Sequence, residues 1–286
     1  MAAIVMAGVL PLSGQPTPTW PAAPVDERIV EDWLRPLSLR QRIAQLLVIP
    51  FYGESPYLGS DDEKNFQHLV REVGIGGLII LNRSYDGSVV RAEPYQMASF
   101  LNRMQRSASI PLIVAGDFER GASMRMNGTT VFPHAMAFGA VDDLEVTRQF
   151  GEATACEAKA LGVHWILAPS ADLNNNPENP VIHLRSFGED PTRVSAHLNA
   201  FIRGVQQNPR CPLPATVKHF PGHGDTNVDS HTSLPVIRQS MSELTSQALV
   251  PFREAIEGGV FSVMPGHLQL PALESKAIPA TVSRAV

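Results

Sequence analysis

Apolar residues recur along the chain in two alternating rhythms. The first is a set of short continuous runs: Leu47–Phe51, Gly76–Leu81, Pro111–Asp117, Val163–Pro169, Pro214–Phe220 and Val260–Met264. Runs of that kind have no wet face, as expected of parallel strands covered on both sides. Between them the apolar spacing lengthens to three and four residues, which predicts helices. These cover Leu39–Leu47, Asp61–Glu72, Glu93–Ser107, Asp142–Leu161, Pro191–Gln207 and Met241–Glu257. Ser38 is placed to cap the first of them, and Phe66, Leu69, Val70 and Val73 line one side of the second. A further short helix is predicted near Asp26–Leu34, inside a proline-rich approach. Strand–helix alternation implies a parallel sheet with right-handed crossovers, an α/β fold.

Polar residues gather just after the strands: Asp117 and Glu119, Asp172, the stretch from Lys218 to His231, and His267. Chemistry at the carboxyl ends of several parallel strands is the pattern of a (β/α)8 TIM barrel, of which about six of eight βα units are visible. The densest stretch reads Lys-His-Phe-Pro-Gly-His-Gly-Asp-Thr-Asn-Val-Asp-Ser-His. Pro221, Gly222 and Gly224 preclude a helix there and predict a loop carrying histidines, aspartates and a lysine. No Gly-x-Gly-x-x-Gly element follows the first strand, which counts against dinucleotide binding.

Composition narrows the partners. The 286 residues carry a formal charge of −5 without basic runs, which argues against nucleic acid. Two cysteines, Cys156 and Cys211, imply no disulfide framework and are compatible with one bridge; Cys156, in a helix beside small residues, reads as a buried inert thiol. No apolar run reaches the ~18 residues of a membrane span. Residues 1–24 form a small apolar stretch and a proline-rich linker, and residues 25–286 read as the barrel domain. The apolar stretch fits a secretory signal lacking its basic start, implying a periplasmic or secreted protein; an incidental tail on a cytoplasmic protein fits the same residues.

Four segments together resemble the β-N-acetylglucosaminidase branch of glycoside hydrolase family 3. Lys218–His231 is similar to that branch's Lys-His-Phe-Pro-Gly-His-Gly…Asp-Ser-His motif, and Asp117–Arg125 to its Asp-x-Glu-x-Gly…Arg segment. Asn174–Pro191 resembles its Asn-Pro-x-Asn-Pro-Val-Ile…Arg-Ser-Phe-Gly run, and Val263–Leu268 its Val-Met…His segment. The resemblance implies a barrel that removes terminal β-linked N-acetylglucosamine with retention, from muropeptides or chitin-type oligosaccharides. It implies a carbohydrate substrate and no metal or organic cofactor. Asp117, Arg125, Arg185, Lys218 and His219 would hold the sugar; His231 would be the general acid/base, with Asp229 as its partner. The family's nucleophilic aspartate follows a seventh strand and is expected beyond Val286, so the 286-residue chain is expected to be an incomplete and inactive part of its parent.

The residue chemistry is consistent with those roles. Sugar hydroxyls donate and accept, so a sugar site needs partners of both signs. A histidine can give and regain a proton near neutrality, and Asp229 could set its tautomer. Gly222 and Gly224 would give the loop freedom to carry His231 inward. Plainer readings stand beside these: Arg125 bridging Glu119 and Arg185 bridging Glu189 or Asp190, while Asp172 fits equally a ligand contact and a tie for the Asn174–Asn176 turn. Trp165 reads as core, His183 as a loop residue satisfied by backbone, and His267 as a group behind the site.

Three rival functions remain. His219 and His223 are spaced for zinc, but Pro221 and Gly222 lie between them and remove the helix that would stack them. A non-catalytic sugar-binding remnant would keep the holding residues without the nucleophile. Phosphorolysis would replace water with phosphate, which a histidine repels less than a carboxylate does.

Overall fold

The computed structural model describes residues 26–52, 54–83, 88–230 and 232–286. The signal-like stretch and His231 therefore lie outside the described residues. Strands β1 (Val48–Tyr52), β2 (Gly77–Arg83), β3 (Ile113–Gly116) and β4 (Trp165–Ile166) form one parallel sheet in chain order. Strands β5 (Thr216–Phe220) and β6 (Ser262–Pro265) form a parallel pair. Parallel bridges Ile166↔Ala215 and Ser170↔Lys218 join β4 and its extension to β5, so chain order is kept throughout. The α/β class and parallel order agree with the sequence pattern.

Successive side chains of a strand face opposite ways, and here both faces are covered. Leu78 and Ile80 of β2 enter the large core shared with the helices. Ile79 between them instead joins Val48, Ala115, Trp165 and Leu167 in a second cluster, with Met264 against it. Trp165 is thus a core residue, its indole Nε1 donating to Ser262 Oγ at 3.2 Å.

The helices run α1 (Glu27–Leu34), α2 (Leu39–Ala44), α3 (Asp61–His68), α4 (Pro94–Ser107), α5 (Ala135–Val141), α6 (Leu144–Ala160), α7 (Pro191–Gln206), α8 (Met241–Ser246) and α9 (Val250–Glu257). Ser38 and Gln41 form a reciprocal capping box on α2. In α4, Met97, Phe100, Leu101 and Met104 are buried at three- and four-residue spacing, the stripe its pattern predicts. Two predicted helices are interrupted, and α5 is an unpredicted helix before the expected Asp142–Leu161 one. Asp142 adopts a left-handed conformation (φ 58°) and ends α5, so Asp143 caps a separate α6. Pro251 supplies no backbone N–H and sits in the first turn of α9, separating it from α8. The Asp61–Glu72 helix passes into a π-turn at Leu69–Val73.

α6 and α7 pack backbone to backbone. A Cβ on Gly151 would lie 2.3 Å from Phe201 O, and one on Gly204 2.0 Å from Arg148 O. Beside this contact Cys156 is disulfide-bonded to Cys211, with Cα atoms 4.9 Å apart. The reading of Cys156 as an inert thiol is thereby corrected. Its partner sits in the turn between α7 and β5, held by reciprocal bonds between Asn208 and the Cys211 backbone.

Candidate functional site

The site is assembled by residues at the carboxyl ends of β3, β4 and β5. β5 runs through Phe220, so Lys218 and His219 lie at the strand's end, within the predicted Pro214–Phe220. Asp117 follows β3 directly, and Asp172 follows the extension of β4 that bonds to β5 through Ala171 N and Lys218 O (2.6 Å). Glu119 lies two residues after Asp117 on the same segment.

Lys218 is the centre of the arrangement. Its ammonium is buried and lies 2.6 Å from both Asp117 Oδ1 and Glu119 Oε1. Arg125 Nη2 donates to Asp117 Oδ2 at 2.7 Å, and its Nε to the Asp117 carbonyl at 3.2 Å. Arg185 forks onto Glu119 at 2.8 and 2.7 Å and reaches His219 Nε2 at 3.2 Å. His219 Nδ1 lies 2.7 Å from Asp172 Oδ2. Because a guanidinium only donates and an ionised carboxylate only accepts, these contacts specify hydrogen on Nδ1 and a lone pair on Nε2. Asp172 also accepts from Ser170 Oγ and from the backbone N–H groups of His219 and His223.

Asp117 and Glu119 therefore face three permanent cations, Lys218, Arg125 and Arg185, while Asp172 is held by His219, Ser170 and backbone donors. Burial is the largest influence on Asp117, Glu119 and Asp172 and would raise each of them. It is outweighed by Lys218 at Asp117, by Lys218 and Arg185 at Glu119, and by His219 at Asp172. All three are held below their ordinary values, Glu119 well below. A charge-balanced cluster rich in donors and acceptors suits a neutral polyhydroxylated ligand.

The structure thus brings Asp117, Arg125, Arg185, Lys218 and His219 into one connected network. Two further members, Glu119 and Asp172, stand among the strand-end polar residues without an assigned place in the sugar-holding set. Glu119 reads from sequence as a partner for Arg125, yet Arg125 takes Asp117 and Glu119 takes Arg185. The i, i+2 spacing of Asp117 and Glu119 past a strand, which puts both on one side of extended backbone, was the available signal. Asp172 orients His219 rather than tying down the Asn174–Asn176 turn. Asn179 holds the loop, donating to the carbonyls of His223 (2.8 Å) and Gly224 (3.0 Å).

The glycines of that loop act otherwise than expected. A Cβ on Gly224 would lie 1.7 Å from Leu173 O, so this glycine permits close packing, and Pro221–Gly224 is buried. Asp229 lies further along, its carbonyl accepting from Thr232 N at 3.0 Å. His183 opens an exposed 3-10 turn, and His267 Nδ1 lies 2.8 Å from Thr281 Oγ1. Among the described residues no group of three or more His, Cys, Asp or Glu side chains could hold a metal ion. None of their helices is long and apolar enough to cross a membrane.

Parallel strands in chain order, with a hydrogen-bonded cluster of acids and bases at their carboxyl ends, define an α/β domain with a polar candidate site where such folds keep their chemistry. Residues 38–286 match the glycosyl hydrolase family 3 N terminal domain, and the chain belongs to that family. It is 32% identical over 265 residues to β-hexosaminidase A of Pseudoalteromonas piscicida, covering 85% of this chain and 43% of that protein. The structure of a glycoside hydrolase family 3 β-N-acetylglucosaminidase from Paenibacillus sp. str. FPU-7 superposes with a TM-score of 0.77 at 40% identity, covering 87% of this chain and 46% of that one. β-Glucoside phosphorylase BglX bound to 2FGlc gives 0.76 at 27% identity, covering 90% and 43%. The chain spans less than half the length of these three proteins.

Proposed function

We propose that this chain is the sugar-binding part of a retaining β-N-acetylglucosaminidase acting on muropeptides or chitin-type oligosaccharides. Its strands belong to a (β/α)8 barrel. The observation that carries the reading is the Lys218-centred network, whose carboxylates and cations present acceptors and donors to sugar hydroxyls. Family membership and the β-hexosaminidase and β-N-acetylglucosaminidase relatives support it. Asp117, Arg125, Arg185, Lys218 and His219 hold the sugar; His231 serves as acid/base with Asp229 beside it.

The network's carboxylates are holders rather than attackers. Asp117, Glu119 and Asp172 are each bound by several donors, which stabilise the ionised form and dull its nucleophilicity. The attacking aspartate of the retaining mechanism is assigned to sequence after Val286. The Cys156–Cys211 disulfide supports an oxidising compartment, periplasmic or extracellular.

Calorimetry of the 286-residue chain with N-acetylglucosamine and with glucose tests the binding half: the N-acetylated sugar is expected to bind and the chain to release no nitrophenol from an aryl glycoside. No binding would sink the reading. In a chain extended to its relatives' length, His231→Ala is expected to lower kcat far more than it alters KM. The likeness to a β-glucoside phosphorylase favours a second reading, phosphorolysis. Sugar 1-phosphate formed by the extended chain in phosphate buffer would establish it.

A further inference from the structure

We propose that a cationic pocket beside the sugar site receives a carboxylate carried on the leaving group, so that acidic glycosides are preferred over neutral ones. The proposal rests on the glycosidase reading above. The pocket has a volume of about 500 Å3 and is lined by Val89, Val90, Arg91, Arg120, Arg125 and Asn127, among others. That volume lies within the range of small-ligand sites.

Arg125 is the wall shared by the two sites. Its guanidinium is committed to Asp117 on one side while the residue lines the pocket on the other. The pocket's two sides are tied together by backbone. Ala92 N donates to Arg125 O at 2.9 Å, Asn127 N donates to Ala92 O at 3.0 Å, and Asn82 Nδ2 donates to Arg125 O at 2.7 Å. This holds Arg91 across from the Arg125–Asn127 segment.

The charge in the pocket is not balanced as it is in the sugar site. Among the described residues, Arg91 and Arg120 have no ion-pair partner. The nearby acid on this rim, Glu93, accepts from Asn127 Nδ2 at 2.8 Å. The Arg120 charge also reaches inward: burial first, then Arg120, holds His134 below its ordinary value. Two arginines that line one pocket and have no ion-pair partner among the described residues are a ready site for a planar oxyanion. The valines add apolar wall, which suits a carbon framework bearing the acid better than a free inorganic ion.

The test compares 4-carboxyphenyl and 4-carbamoylphenyl N-acetyl-β-glucosaminides, which differ little in shape but differ in charge, by calorimetry on the 286-residue chain at low salt. The carboxylate is expected to bind roughly tenfold tighter. Arg91→Gln and Arg120→Gln should each remove most of that advantage and leave the neutral ligand's affinity unchanged. Both substitutions are at side chains outside the sugar-holding network, so the fold should be retained. Equal affinities, or an advantage that survives the double substitution, would overturn the proposal while leaving the sugar site standing. Inorganic phosphate binding more tightly than the carboxylate, and displacing it, would reassign the pocket and also overturn it. Failure of both glycosides to bind would refute the underlying sugar-site reading, and the proposal with it.

Discussion

Lys218→Met removes the one cation that separates two buried carboxylates. Lys218 Nζ lies 2.6 Å from Asp117 and 2.6 Å from Glu119, and the Lys218 side chain is only 4% exposed. Methionine keeps a similar unbranched stem, so packing changes little while the charge is lost. Asp117 retains Arg125 and Glu119 retains Arg185, but the two acids then repel each other without a bridge. Breaking a buried ion pair from one side costs ~3–5 kcal/mol near neutrality. The variant can relieve that cost by taking up a proton. Protonation becomes favourable once one carboxyl's folded-state value rises above its unfolded one. Stability from such a group is fully present below the unfolded value and is lost as pH rises through the folded one. A raised carboxyl therefore makes the deficit smaller on the acid side than near neutrality. Urea unfolding of both proteins at pH 7.5 and pH 5 measures this, and the deficit should narrow at pH 5. An equal deficit at both pH values would show that the charges do not carry the effect.

Three further outcomes follow from the geometry. Asp172→Asn should weaken sugar binding and cost ~1–3 kcal/mol of stability. The carboxylate serves four donors, from Ser170 Oγ, His219 N, His219 Nδ1 and His223 N, and an amide offers only one accepting oxygen. Calorimetry and urea unfolding read the two effects, and unaltered binding would remove Asp172 from the site. Gly224→Ala should cost ~1–3 kcal/mol or more in urea unfolding, because its Cβ would sit 1.7 Å from the Leu173 carbonyl. Cys156→Ala should lower the thermal midpoint by opening a cross-link between residues 55 apart, worth ~4 kcal/mol in the chain-entropy view. Two free thiols found in the unreduced, denatured protein would refute that pairing.

The strands were readable because each carries a short apolar run, and no wet-faced alternative fits Gly76–Leu81, where Leu78, Ile79 and Ile80 are buried on both faces. Their limits were readable only in part. β4 keeps only Trp165–Ile166 of the predicted Val163–Pro169, whereas β5 starts at Thr216 and ends, as predicted, at Phe220. Helix breaks were visible after the fact in single residues, Asp142 and Pro251, whose backbone behaviour depends on what surrounds them. The network's membership was largely legible as polar residues after strands, but its pairing was not. Lys218 and Asp117 are 101 residues apart, and Arg185 and Glu119 are 66 apart. Local spacing marks which side chains reach the strand ends without saying which of them meet. Hence sequence spacing pairs Glu119 with Arg125, whereas it meets Arg185 and Lys218, and the spacing of Cys156 and Cys211 leaves their bridge open.

The pairing also fixes how the site should respond to acid. Asp117, Glu119 and Asp172 are each held below the ordinary carboxylate value, against burial, by Lys218, Arg185 and His219. A carboxyl with a depressed folded-state value contributes stability above its unfolded value, and that contribution is lost as pH falls through the folded one. The usual titration range of exposed acids, ~3.9 for Asp and ~4.3 for Glu, should therefore pass without loss of the network. Sugar binding measured by calorimetry from pH 7 to pH 4.5 should show no carboxylate-dependent fall, and cooperative loss of network and fold should come at lower pH. Lys218→Met moves this boundary the opposite way, because raised carboxyls protonate on the neutral side of the range. Wild-type binding that fell with an apparent value near 4.5, with the fold intact, would mean that at least one of these acids is not held by its partners. The charge-balanced description of the site would then fail at that residue.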